Sequence, residues 1–469
     1  MKGSANQGAN RLGPRHRSWR IATLALLLPL ALGSTAQTPL QWNPQPVPSL
    51  PTVTPPPPAR TSQPVAARRI AYVPPPRQVL PLASGFDMRQ FEAMAQALVA
   101  DQRVPGLAMA IVQNGRILSV RGYGITDVRD AAPIDTHTVF RLASLSKAFA
   151  GTMTGMLVSE GALRWDSRLT DFMPGLQLSQ PGAAQQLTVA EVVSQRVGLV
   201  HNTYDRDLEA NVDYRSLVQK LAAAPMSCAP GQCYGYQNIA FSLIGDVVFA
   251  ATGKFYPDAV AQRIFKPLGM NDASYGLEGI ESSARWAKPH VRGRGGWVSL
   301  IPKPSYYRVA PAAGVNASIS DMAQWLIAQT GHRQDVLPDS LLATLHAPVI
   351  NTPSELHGSS WRSQRLTAAG YALGWRVYDY AGHRVVFHGG AVQGYRGVVA
   401  LIPDSDLGIA ILWNSESGLP SGLMPTILDT AMGLTPHWLD DHTLGDSLYA
   451  RDADDAPGVG SSTSEAKPR

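Results

Sequence analysis

Ser144 and Lys147 stand three residues apart in the run Phe140-Arg-Leu-Ala-Ser-Leu-Ser-Lys147, where the local pattern predicts the start of a helix. A helix turns about 100° per residue, so these two side chains share one face, whereas Ser146 points elsewhere. A serine hydroxyl is a weak nucleophile at neutral pH and needs a base beside it. A lysine held in a partly dry pocket can lose its proton and fill that role. An isolated Ser-x-x-Lys is a weak signal, because a helix cap beside a solvated charge has the same spacing. Two later elements change its weight: Tyr236-Gln-Asn238, entering the apolar run Ile239-Ala-Phe-Ser-Leu-Ile-Gly245, and His388-Gly389-Gly390, between two strand-like segments.

In this order the three elements resemble those of the serine β-lactamase and penicillin-binding protein superfamily, in its class C-like branch of β-lactamases, D-alanyl peptidases and esterases. Gly122-Tyr-Gly-Ile-Thr-Asp-Val128, Ile264-Phe-Lys-Pro-Leu-Gly-Met-Asn271 and Ala313-Gly-Val-Asn-Ala-Ser-Ile-Ser-Asp321 belong to the same resemblance, which runs from about Phe86 to Leu434. It implies that Ser144 attacks a carbonyl carbon and becomes acylated, with Lys147 and Tyr236 sharing the base and acid roles. Tyrosine, with an ordinary pKa of about 10, needs positive charge nearby to work as a phenolate. Asn238 would hold Lys147 and the substrate's amide or acyl side chain. Gly389, Gly390 and Ala391 would follow His388 along a strand edge, and the backbone N–H groups of Ser144 and Ala391 would receive the oxyanion.

The chain departs from the family pattern at His388, where β-lactamases and peptidoglycan-processing members usually carry Lys-Thr-Gly or Lys-Ser-Gly. Histidine has a reference pKa of about 6.5 and so is mostly neutral slightly above neutral pH. No Lys or Arg occurs from Gly397 to Ala450, and Arg396 is the nearest candidate for a second cation. The expected substrate is therefore an ester, an amide or a D-amino-acid peptide, a small molecule or peptide with no obligatory carboxylate. A true β-lactamase is the alternative, and a sensor that is acylated without turnover is a further one. No Gly-x-Ser-x-Gly elbow is present, which sets aside an α/β-hydrolase.

Charge and composition exclude other classes. The 40 Lys and Arg against 35 Asp and Glu give a formal charge of +5, but Lys2, Arg11, Arg15, Arg17 and Arg20 precede the apolar run Ile21 to Gly33 and the small residues Ser34-Thr-Ala36. That is the form of a signal peptide over residues 1–36, cleaved near Ala36, leaving a formally neutral periplasmic or secreted protein. No nucleic-acid partner is expected of such a balance, and the apolar run is short for a stable membrane span. The eleven histidines show no metal-ligand spacing, so no metal or cofactor is expected. Cys228 and Cys233 bracket four residues just ahead of Tyr236, and an oxidising compartment makes a disulfide between them plausible.

Fourteen prolines between Pro39 and Pro81 make residues 37–83 a polyproline-type spacer, with a ligand for a proline-binding partner as the lesser alternative. A polar tail is expected over 436–469. The intervening 84–435 is long enough for one large core. Leu107-Ala-Met-Ala-Ile-Val, Gln-Asn-Gly and Arg116-Ile-Leu-Ser-Val form a hairpin pattern, and strand-like runs recur at 385–387, 398–402 and 407–413. Helical patterns dominate between them. The expected fold is α+β: an antiparallel sheet built from both chain ends and flanked by helices, plus a mainly helical lobe carrying Ser144 and Tyr236.

Overall fold

The computed structural model describes residues 79–439 with the exception of Asp101. All lie in the larger of the two units into which the chain divides, Pro75–Arg469. The expected signal peptide, its cleavage near Ala36, most of the spacer and most of the tail lie outside the described residues.

Helix α1 (Met88–Ala100) leads into β1 (Gly106–Gln113), β2 (Arg116–Asp127) and β3 (Asp130–Pro133). Asn114 and Gly115 both have positive φ, 51° and 69°, as a two-residue hairpin turn of type I′ requires. Short strands follow at β4 (Val139–Arg141), β5 (Ser274–Tyr275), β6 (His290–Gly293), β7 (Gly296–Ser299) and β8 (Val315–Ser318). The run closes with β9 (Ile350–Asn351), β10 (Leu366–Tyr371), β11 (Arg376–Tyr380), β12 (His383–Val392), β13 (Tyr395–Ile402) and β14 (Leu407–Trp413). Nine strands form one antiparallel sheet in the order β3-β2-β1-β14-β13-β12-β11-β10-β9. The chain ends meet at its centre, where Met109 lies opposite Ile411.

Alternation along these strands feeds two cores. Leu107, Met109 and Ile111 join Ile409, Ile411, Phe91 of α1 and Ile427 of the helix Leu423–Ala431 on one face. Ala108, Ala110 and Val112 turn to the other face, where α2 (Ser146–Ser159) and the helical lobe pack. Helix α2 is anchored by Phe149, stacked on Trp325 at 3.9 Å and edge-on to Phe265 at 5.7 Å. Gly374 (φ +86°) lets the chain pass beneath it, since a Cβ there would lie 2.3 Å from the Lys147 carbonyl oxygen.

The packed unit extends past both expected boundaries. Leu80 and Ala83, placed in the spacer by sequence, donate backbone hydrogen bonds to Asp404 and Ala431. Trp438, placed in the tail, is 3 % exposed and donates from Nε1 to Asp429 Oδ2 at 2.7 Å. An indole seated on a buried carboxylate holds that segment against the core. Among the described residues no helix is long and apolar enough to cross a membrane.

Candidate active site

Ser144 lies in a single 3₁₀ turn, Ala143–Leu145, that leads directly into α2. The expected helix start is thus a tighter turn, entered through Ala143 at φ +49°. A left-handed conformation is unfavourable for any residue with a Cβ and is least crowded for a small one. Lys147, in the first turn of α2, is fully buried, and its Nζ donates to Ser144 Oγ at 3.2 Å, to Asn238 Oδ1 at 2.7 Å and to the Ala312 carbonyl at 3.2 Å. All three ammonium hydrogens therefore have a protein acceptor. Ser146 points away, donating to the Ala143 carbonyl and accepting from Val315 N.

Tyr236 and Asn238 sit in the segment just before the helix Leu243–Thr252. Lys147 Nζ stands 4.5 Å from the Tyr236 ring centre and 5.4 Å from that of Phe241. Asn238 does not cap a helix. Its Nδ2 donates to Asp205 Oδ2 at 2.7 Å, which fixes the amide so that Oδ1 faces Lys147. Burial pushes the Asp205 carboxyl up to about 6, against the opposing pull of Asn238 and Lys147. The Tyr236 backbone N–H donates to His201 Nδ1 at 3.3 Å. Cys228 and Cys233 are joined in a disulfide whose Cα atoms are 6.2 Å apart, closing the loop that precedes Tyr236.

The other wall of the site is β12. Its pairing with β11 ends at Phe387, opposite Arg376, whereas its pairing with β13 runs on to Val392. Residues 388–392 thus carry no strand on the β11 side. Gly390 rests against the Ser144 turn, where a Cβ would come 2.4 Å from the Leu142 carbonyl oxygen. His388 is 1 % exposed. Its Nδ1 lies 2.7 Å from the Gly389 carbonyl, which can only accept, so Nδ1 carries the proton and Nε2 accepts from Tyr371 Oη at 3.2 Å. Burial, Arg376 and Lys147 together hold the imidazole well below its usual range. His388 is a neutral group with both nitrogens engaged.

Arg396 is not the second cation of this site. Its pairing partners Ala391 and Trp413 and the residues around it, Phe387, Trp361 and Met424, place it in a cavity of about 50 Å³ on the α1 side of the sheet. The cation that reaches Tyr236 from the sheet is Arg376, whose Cζ is 5.5 Å from the ring centre. It is 2 % exposed and donates to Glu355, which also accepts from Tyr378 Oη at 2.9 Å and pairs with Arg362 at 2.9 Å. Sequence reasoning missed Asp205, Arg376, Glu355 and Tyr371. A lone arginine within Leu373-Gly-Trp-Arg-Val377 was the one available signal, because a charge inside an apolar strand needs a partner.

Comparison with known proteins identifies the family and the fold. Unguisins hydrolase ungD' of Aspergillus campestris (strain IBT 28561) is 24% identical over 335 residues, which is 69% of this chain. The chain spans 61% of that relative's length. The octameric penicillin-binding protein homologue from Pyrococcus abyssi superposes with a TM-score of 0.65 at 23% identity, over 75% of this chain and 78% of that one. The D-amino acid amidase from Ochrobactrum anthropi SV3, complexed with L-phenylalanine, gives a TM-score of 0.60 at 19% identity, over 74% and 99% of the two chains. At these identities the structures share the β-lactamase and transpeptidase-like fold. The Beta-lactamase family model matches residues 91–430, and the chain belongs to that family of serine hydrolases.

Proposed function

We propose that this protein is an exported serine hydrolase of the class C-like branch, cleaving an ester, an amide or a D-amino-acid peptide through an acyl-enzyme at Ser144. The observation that carries this is the buried amine of Lys147, held against Ser144 Oγ by Asn238 and the Ala312 carbonyl. Ser144 Oγ attacks the carbonyl carbon as its proton passes to the Lys147–Tyr236 pair. The backbone N–H groups of Ser144 and Ala391 receive the oxyanion, and Tyr236 returns a proton to the leaving group. Water then reverses the sequence and frees the acid.

The substrate preference rests on charge. His388 is neutral, and Arg376 is buried and held by Glu355, so this wall presents no exposed cation to a substrate carboxylate. The names of the relatives, a hydrolase of unguisins and a D-amino acid amidase, point the same way. Export is supported by the basic and apolar N-terminal sequence and by the disulfide, which suits an oxidising compartment.

The test is parallel hydrolysis of a p-nitrophenyl ester, a D-amino-acid amide and a chromogenic cephalosporin, with Ser144→Ala as control. Ester or amide turnover exceeding cephalosporin turnover, and lost in Ser144→Ala, is expected. Preferential cephalosporin turnover would make this a β-lactamase, and release of a single equivalent would make it a sensor.

A further inference from the structure

The strand wall of the site holds one charge that no motif announces. Arg376 opens β11, opposite the last β12 residue before His388, and its guanidinium stands over the Tyr236 ring. It is buried, and Glu355 fixes it from behind, with Tyr378 and Arg362 completing the shell around that carboxylate. His388, beside it in the sheet, has its nitrogens committed to Gly389 and Tyr371. A buried arginine needs its partners, but packing alone does not require one to be aimed at a catalytic tyrosine.

We propose that Arg376, clamped by Glu355, is a positioning residue that supplies the strand-side positive charge to the Lys147–Tyr236 pair, the charge that neutral His388 does not carry. The proposal rests on the acyl-enzyme function given above. It also accounts for a motif histidine in place of lysine, since two cations side by side in this wall would repel each other.

The charged and titratable groups around Tyr236 come from several elements. Lys147 faces it from α2, His201 from the segment beneath its backbone N–H, and Tyr306 from the turn Ser305–Arg308. Asp205 acts through Asn238, and His388 and Arg376 stand on the sheet side with Glu355 and Arg362 behind. A fixed cation favours the deprotonated form of every neighbour, and a fixed anion does the reverse. Removing Arg376 therefore moves the pH dependence of acylation upward, and removing the Glu355 charge moves it downward. Two partners of a merely structural ion pair would instead give similar losses at every pH.

The experiment is the pH profile of Ser144 acylation by p-nitrophenyl acetate, followed as nitrophenol release and as a mass adduct on the full chain. Arg376→Gln should shift the profile up by about one pH unit with roughly tenfold slower acylation, and Arg376→Lys should restore most of the position. Glu355→Gln should shift it down by about half a unit. Shifts in the same direction, or slower acylation without a shift, overturn the proposal. If Arg376→Gln does not fold, the other two variants decide, and an unshifted Glu355→Gln profile overturns it. A chain unacylated at Ser144 refutes the proposed function and this inference with it, whereas normal acylation with unshifted variants refutes only this one.

Discussion

Ser144 is flanked by two walls built on different principles. On the helical side, side chains hand charge to one another over hydrogen-bond distances, from Ser144 through Lys147 and Asn238 to Asp205. On the strand side a neutral histidine is locked by its own neighbours, and the charge arrives from an adjacent strand in an arginine held in place by a carboxylate. The helical wall contains the groups that would exchange a proton with Ser144 in the proposed reaction. The strand wall presents backbone and a fixed field. Chemistry should therefore be lost by breaking the first, and selectivity or stability altered by breaking the second.

The widest separation between the walls is expected from Lys147→Ala. It removes the only side-chain amine hydrogen-bonded to Ser144 Oγ among the described residues and should lower kcat/KM for an ester by about 10³-fold, within the usual range for a lost proton-transfer partner. His388→Gln, which keeps a neutral side chain, should cost no more than roughly tenfold, or about 1.4 kcal/mol of barrier. Equal losses in steady-state assays would erase the distinction drawn here.

His388→Lys comes next. From sequence, a histidine where the family carries lysine weakens carboxylate recognition, which makes the reverse substitution an expected gain. The structure changes that expectation, because position 388 is buried beside Arg376 and Lys147. A third cation there should destabilise the fold by about 3 kcal/mol in urea unfolding, the scale of a buried unpaired charge. Neutralising Arg376 in the same chain should recover part of that loss. A fully stable His388→Lys would mean that the strand wall tolerates more charge than the geometry suggests.

A smaller and signed effect is expected at Asp205. Its folded-state pKa of about 6 is raised above the ordinary 3.8, so the folded chain binds that proton more tightly than the unfolded one. The associated stability is present below about pH 4 and is lost as pH rises through 6. Asp205→Asn keeps an acceptor for Asn238 Nδ2 but removes the charge. Its melting temperature relative to the parent should therefore improve more at pH 7.5 than at pH 4.5, while ester turnover falls by roughly tenfold, the equivalent of about 1.4 kcal/mol. A melting difference independent of pH would show that the Asp205 charge is not what burial opposes.

The same contrast explains what was legible in the sequence. That Ser144, Lys147, Tyr236 and Asn238 come together is legible because short spacings and motifs are local, and the hairpin at Asn114-Gly115 because two positive φ angles demand such residues. Arg376 and Glu355 meet through the cross-strand register of β11 on β12 and the turn Pro353–His357, which no local pattern encodes. Asp205 reaches Asn238 across 33 residues of helical lobe. The neutrality of His388 depends on burial and on the nearby charges of Arg376 and Lys147, none of which can be read from His-Gly-Gly.

Arg396 gives the smallest expected effect and the sharpest check on which face of the sheet does the chemistry. By sequence it is the first cation after the His-Gly-Gly motif, eight residues on from His388. Alternation along β13 decides otherwise: Tyr395 and Val399 face the catalytic side, while Val398 and Ala400 face the core shared with α1. Arg396 falls in the second set, half-buried among Trp361, Phe387 and Met424. Arg396→Ala should accordingly change ester and cephalosporin turnover by less than about twofold, or roughly 0.4 kcal/mol. A selective fall in KM-dependent turnover of carboxylate-bearing substrates would mean that the guanidinium reaches around the free edge of β12, and Arg376 would then share its role with a residue on the opposite face.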